Sequence, residues 1–148
     1  MPDKITIVLV DDQQLIRESW STMLSNDPRF SVIAHCADPA KLDLKLGMLK
    51  PDIILLNLNA TQEAGLKVAQ TLTSLDTASK IIVVCGTGTS RYVQKMFAIG
   101  VKGFLKKSAP FEELKNAIPF VHEGRHYISE ELRNDMAADN SINNIQDN

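Results

Sequence analysis

Two acids stand side by side at the end of an apolar run: Asp11 and Asp12 close KITIVLV (4–10). Two carboxamides, Asn57 and Asn59, close a second such run, IILL (53–56). Cys85 ends a third, KIIVVC (80–85), and Lys107 ends a fourth, VKGFLKK (101–107). Adjacent carboxylates at a buried strand end are costly unless something offsets their charge. A hard divalent cation such as Mg2+ would do so, because it takes carboxylate and carbonyl oxygens. A second reading is that Asp12 caps a helix while Asp11 stays in solvent. Spacing alone leaves both open. Lys107 by itself is a solvated strand-end lysine, but opposite an acidic pair it becomes a phosphate or carboxylate partner. Cys85 and Cys36 read as small buried hydrophobes rather than a redox pair. No CxxC or Cys/His ligand spacing occurs.

These residues can act together only if the elements bring them to one place. KITIVLV is β-branched and apolar, and FSVIAHC (30–36), PDIILL (51–56), KIIVVC and VKGFLKK carry the same strand signal. Between them lie helical patterns. Leu15, Ile16, Trp20, Met23 and Leu24 recur at helical spacing in a helix opened by Asp12 or Gln13. DPAKLDLKLGML (38–49) starts with Asp38 as N-cap and Pro39 at the first helical position. QEAGLKVAQTLTSL (62–75) turns Leu66, Ala69 and Leu72 inward, and SRYVQKMFAIG ends at Gly100. APFEELKNAIPFVHEG runs from near Pro110 to Gly124, with Pro119 a candidate kink, and ISEELRNDMAA (128–138) is capped by Ser129. The tail DNSINNIQDN is polar and Asn-rich, a linker or frayed end.

Five strand–helix units with fully apolar strands imply an α/β fold: a doubly wound, flavodoxin-like parallel sheet of five strands with helices on both faces. Functional groups in such a sheet collect beyond the carboxyl ends of its strands. Asp11, Asp12, Asn57, Cys85 and Lys107 all sit at those ends.

Composition narrows the function further. A chain of 148 residues has room for one core, and a net charge of −2 creates no basic field toward nucleic acid. No run is long enough to cross a bilayer, and the first residues do not form a signal peptide, so a cytoplasmic protein is expected. CGTGTS lacks the G-x-G-x-x-G and Walker signatures of nucleotide-binding enzymes. His35, His122 and His126 do not converge, which argues against a histidine metal site or a phospho-histidine.

VLVDDQQLIR, PDIILLNLNATQEAGLKV, KIIVVCGT and GFLKKSAPFEELKNAI together resemble the receiver domain of bacterial two-component response regulators, over roughly residues 4 to 124. DDQQLIR, GFLKKS and EGRHYISEEL resemble the branch that usually carries a C-terminal helix-turn-helix domain. The resemblance implies a non-enzymatic signalling module. In that family an aspartate after strand three accepts a phosphoryl group from a histidine kinase, and an acidic pair holds Mg2+. Carried over, the pair is Asp11 and Asp12, the cation's backbone carbonyl belongs to Asn59, and the phosphoryl-binding lysine is Lys107. The switch positions are Cys85 and Phe104. Three places depart from the pattern. The phosphoacceptor position is Asn57, the hydroxyl switch is Cys85, and Ala60, Thr61 and Gln62 replace the usual Met-Pro-Gly.

A carboxamide oxygen is neutral and should not form an acyl phosphate at a useful rate. Losing one of three carboxylates also weakens Mg2+ binding. Asn57 can donate as well as accept. Its NH2 is expected to face Asp11 or Asp12 while its oxygen accepts from Lys107, relieving repulsion without a metal. The expected organisation is a receiver or pseudo-receiver over 1–126, with a C-terminal helix and polar tail over 127–148. The expected function is a module not phosphorylated at Asn57. It would act through protein–protein contacts and dimerisation to regulate transcription. Its partners would be a sensor kinase or other signalling protein and a second copy of itself, with DNA reached only through a domain absent from this chain, and no membrane. The alternative is an ordinary phosphorylatable regulator seen as an Asp-to-Asn variant or a shortened piece.

Overall fold

The computed structural model describes residues 3–39, 48–75 and 78–147, with side chains placed through residue 138. In chain order the elements are β1 (Ile5–Val10), α1 (Gln14–Ser25), β2 (Phe30–Cys36), β3 (Ile53–Leu58), α2 (Gln62–Leu75) and β4 (Lys80–Cys85). They continue with α3 (Ser90–Ala98), β5 (Gly103–Lys106), α4 (Phe111–His122), β6 (Tyr127–Ile128) and α5 (Glu130–Asp147). The helix expected over 38–49 lies largely outside the described residues, though Met48 and Leu49 are helical.

The strands form one parallel sheet in the order β2-β1-β3-β4-β5-β6. Its two faces are read directly from alternation along each strand. Val8, Val10, Ile54, Leu56, Val83 and Phe104 face one core, beside Leu72, Val93 and Met96 of α2 and α3. Ile7, Leu9, Ile53, Leu55, Val84 and Leu105 face the other, beside Leu24 of α1 and Leu114, Ile118 and Val121 of α4. The alternation buries both sides of β3 completely, which is why that strand reads as an unbroken apolar run.

The sheet has six strands, not the five expected. Tyr127 N donates to Lys102 O at 3.0 Å and Ser129 N to Phe104 O at 2.9 Å, so the chain after α4 pairs with what would be an open edge at β5. Two residues are too short a run for the alternation signal to register.

Of the two residues read as opening α1, Gln13 occupies the N-cap and makes no side-chain cap bond. One detail of that helix differs from the sequence reading. Of the periodic apolar set in that helix only Leu24 is fully buried; Leu15 is 75 % exposed and Met23 41 %. Elsewhere the punctuation works as read. Gly100 takes φ +113°, the left-handed geometry that ends α3, and Gly124 takes φ +97° after α4. Helix α4 runs on through Pro119 to His122. No described helix is long and apolar enough to cross a membrane.

Candidate functional site

The carboxyl ends of β1 and β3 lie side by side in parallel register, Val10 opposite Leu56, which brings the following residues, Asp11 and Asn57, together. Asp11 is only 3 % exposed. Its Oδ1 accepts from the Gln13 backbone N–H at 2.9 Å and from Asn59 Nδ2 at 3.1 Å, and its Oδ2 accepts from Asn57 Nδ2 at 2.7 Å. Its backbone carbonyl takes Arg17 Nη1 at 2.7 Å. Asp12, on the exposed side, accepts from Asn59 Nδ2 at 2.8 Å. Lys107 Nζ donates to Asn59 Oδ1. Five of the residues singled out in the sequence therefore do meet: Asp11, Asp12, Asn57, Asn59 and Lys107.

One expectation needs correcting. The oxygen that receives Lys107 belongs to Asn59, not Asn57. Asn57 Oδ1 is buried without a hydrogen-bond partner. The Asn59 side chain bridges both acids and the lysine. A signal for this was present in NLN: residues two apart at a strand end point to the same side.

Cys85 and Phe104 lie apart from this cluster, in the core beneath it. Cys85 is buried, its Sγ 3.7 Å from Thr87 Oγ1. Phe104 is fully buried and meets Tyr92 edge-on, with ring centroids 5.7 Å apart at 81°. The Tyr92 hydroxyl is also buried without a partner. Burial, with the Cys85 thiol adding to it, pushes the Tyr92 phenol up to about 12. Helix α2 makes room for that ring at Gly65, where a Cβ would run into the Tyr92 hydroxyl and stand 3.1 Å from Leu58 Cδ1. The sequence does not single out Gly65, because its pairing with Tyr92 crosses two helices and leaves no periodic trace.

The donor set can be tested against a divalent cation. Mg2+ needs acceptors converging on a point. Here both Asp11 oxygens and Asp12 Oδ1 already accept from amide N–H groups, and an ammonium stands on the far side of Asn59. Turning the Asn57 amide over would set its oxygen 2.7 Å from Asp11 Oδ2, acceptor against acceptor. The residues as arranged do not fit Mg2+, and among the described residues no three His, Cys, Asp or Glu side chains are grouped to hold a metal ion.

Comparison with known proteins defines the class to which this amide-centred acidic cluster belongs. The response regulator receiver domain family matches residues 7–119, and the chain belongs to it. It is 28 % identical over 142 residues to the oxygen regulatory protein NreC of Staphylococcus aureus, covering 95 % of this chain and 65 % of that protein. This chain thus spans a little under two thirds of the relative's length. Among solved structures, a LuxR-family two-component response regulator from Aurantimonas sp. SI85-9A1 matches with TM-score 0.84 and 25 % identity, over 94 % of this chain and 99 % of that one. The isolated receiver domain of RcsB from Salmonella enterica serovar Typhimurium shares the fold at TM-score 0.77 and 14 % identity, over 88 % and 97 % of the two chains. The flavodoxin-like parallel architecture is thereby shown, and the chain is the receiver domain of a two-component response regulator.

Proposed function

We propose that this receiver does not take a phosphoryl group at Asn57 and signals through protein–protein contacts, including a homodimer, to regulate transcription. One observation carries the reading: Asn57 presents an N–H, not an anionic oxygen, and spends it on Asp11 at 2.7 Å. The acceptor position therefore lacks a nucleophile. The acidic pair, the lysine and both amides form a closed set in which the amide N–H groups stand where cationic charge would otherwise be needed. Mg2+ binding is weak or vestigial on this account.

The setting is cytoplasmic, and the direct partners are a sensor kinase or another signalling protein and a second copy of the chain. DNA is contacted only through a domain outside this chain, and 1–126 is the receiver proper, with 127–148 its C-terminal helix and polar tail. Sedimentation equilibrium with and without acetyl phosphate and Mg2+ tests the reading. Self-association that is the same in both conditions is expected. Association that appears only with the phosphodonor would contradict it.

A further inference from the structure

Leu132 of α5 is fully buried and belongs to the same core as Phe104, Tyr92, Val93 and Met96, and Met136 packs against its edge. Leu132 and Phe104 close together over Gly88, in the loop after β4. A Cβ on Gly88 would stand 2.9 Å from Leu132 Cδ2 and 3.3 Å from Phe104 Cε1. No positive φ occurs at Gly88, so the backbone there accepts any residue and the need for glycine is steric.

The outer side of the same helix turn is polar. Glu131 accepts from Lys106 Nζ at 3.2 Å and from Ser108 Oγ at 2.7 Å, both just before and after Lys107. Ser129, fully buried, accepts from the Lys106 N–H at 3.4 Å, and Glu113 of α4 receives the Glu130 N–H at 3.0 Å. Buried Leu132, buried Ser129 at the start of the helix and a rim of exposed contacts at Glu131 and Glu113 thus hold α5 across β5 and α3. The rim is exposed and weakly held, as solvent-facing pairs are. Within α5, Leu132 is the fully buried residue that shares the core with Phe104, which Tyr92 also meets edge-on.

We infer that α5 is an intramolecular strap keyed by Leu132, which pins Phe104 in the core and closes the β5–α3 face. Release of the strap frees Phe104 and opens that face together, as one local unit beside an intact sheet. A chain without a phosphoryl acceptor then still has a two-state element that a partner binding α5 or the β5–α3 face can bias. The strap works in the same way whether or not Asn57 accepts a phosphoryl group.

Hydrogen exchange on the full chain tests the coupling. Glu131→Lys alters an exposed side chain and sets an ammonium against Lys106; Gly88→Ala pushes on Leu132 and Phe104 from the loop. Each should speed exchange in 130–138 and, in step, in 90–98 and 103–106 by on the order of tenfold, with β1 and β3 unchanged. Opening of 130–138 while 90–106 keeps the parent rate would overturn the coupling. So would equal acceleration across all strands, because Leu132 would then be an ordinary core residue. No change in 130–138 in either variant would also overturn it, since the strap would not be releasable.

Discussion

Asn57 Nδ2 stands 2.7 Å from Asp11 Oδ2, and both residues are buried at adjoining strand ends. Asp11 remains in a buried setting because Asn57, Asn59 and the Gln13 N–H share its two oxygens. The same arrangement dictates how the protein should respond when that amide is changed.

Asn57→Asp removes the donor and sets a second carboxylate against Asp11. Without Mg2+ the variant should lose roughly 1–3 kcal/mol of stability, the cost of a buried group left unpaired. Mg2+ should restore part of the loss by binding the folded state, while the parent stays indifferent to it. Thermal melts of both proteins with and without millimolar Mg2+ check this. A parent protein stabilised by Mg2+ would count against the closed amide cluster.

Asn59→Ala should act on three partners at once, since that side chain bridges Asp11, Asp12 and Lys107. Asp12 and Lys107 are exposed and can turn to water. Asp11 keeps two donors. The net loss should be about 1 kcal/mol, that of one ordinary hydrogen bond. Chemical denaturation of parent and variant measures it.

Tyr92 and Gly65 should be coupled. Gly65→Ala would normally favour α2 by about 1 kcal/mol, because alanine is the better helix former. Here the new Cβ meets the Tyr92 hydroxyl, so destabilisation is expected. Tyr92→Phe deletes a buried, unpartnered hydroxyl and should be neutral or stabilising by about 1 kcal/mol. It should also make Gly65→Ala tolerable. A double-mutant cycle by urea unfolding reads the coupling directly, and additive effects would refute the contact.

The same phenol sets an alkaline limit. Tyr92 is pushed from its ordinary value of 10.0 up to about 12 by burial, and Tyr127 is also raised, first by burial and then by Glu113. The folded state therefore holds these protons more tightly than the unfolded chain does. The stability they contribute is full below pH 10 and is lost as pH rises toward about 12. Phenolate absorbance should show Tyr92 still protonated at pH 10 in the folded protein, and Tyr127 less ionised than a free tyrosine. In Tyr92→Phe the fall in stability over that window should shrink.

Much of this was legible in the residues. The apolar strands, the helix periods and the glycine stops at Gly100 and Gly124 are local signals, and local physics wrote them. So was the convergence of Asp11, Asp12, Asn57 and Lys107, because a parallel sheet carries all its strand ends to one edge. What escaped was set by tertiary context. Leu15 and Met23 obey the helical period of α1 yet remain exposed, because nothing among the described residues covers the face they occupy. Lys107 could reach either of two amides of equal chemistry, and only the depth of Asn57 beneath Asn59 decides between them. Strand β6 is two residues long, and its pairing is visible only once β5 offers an edge. Leu132 reads as one of a few apolar residues in a mostly polar helix, and nothing local says that it closes over Gly88.

The most direct test of the amide's role is intact mass after incubation with Mg2+ and acetyl phosphate, on the parent and on Asn57→Asp side by side. The account predicts no phosphoryl adduct on the parent and an adduct on the aspartate variant, in which the acidic pair and Lys107 regain a nucleophile to serve. A phosphoryl adduct on the parent protein would contradict it.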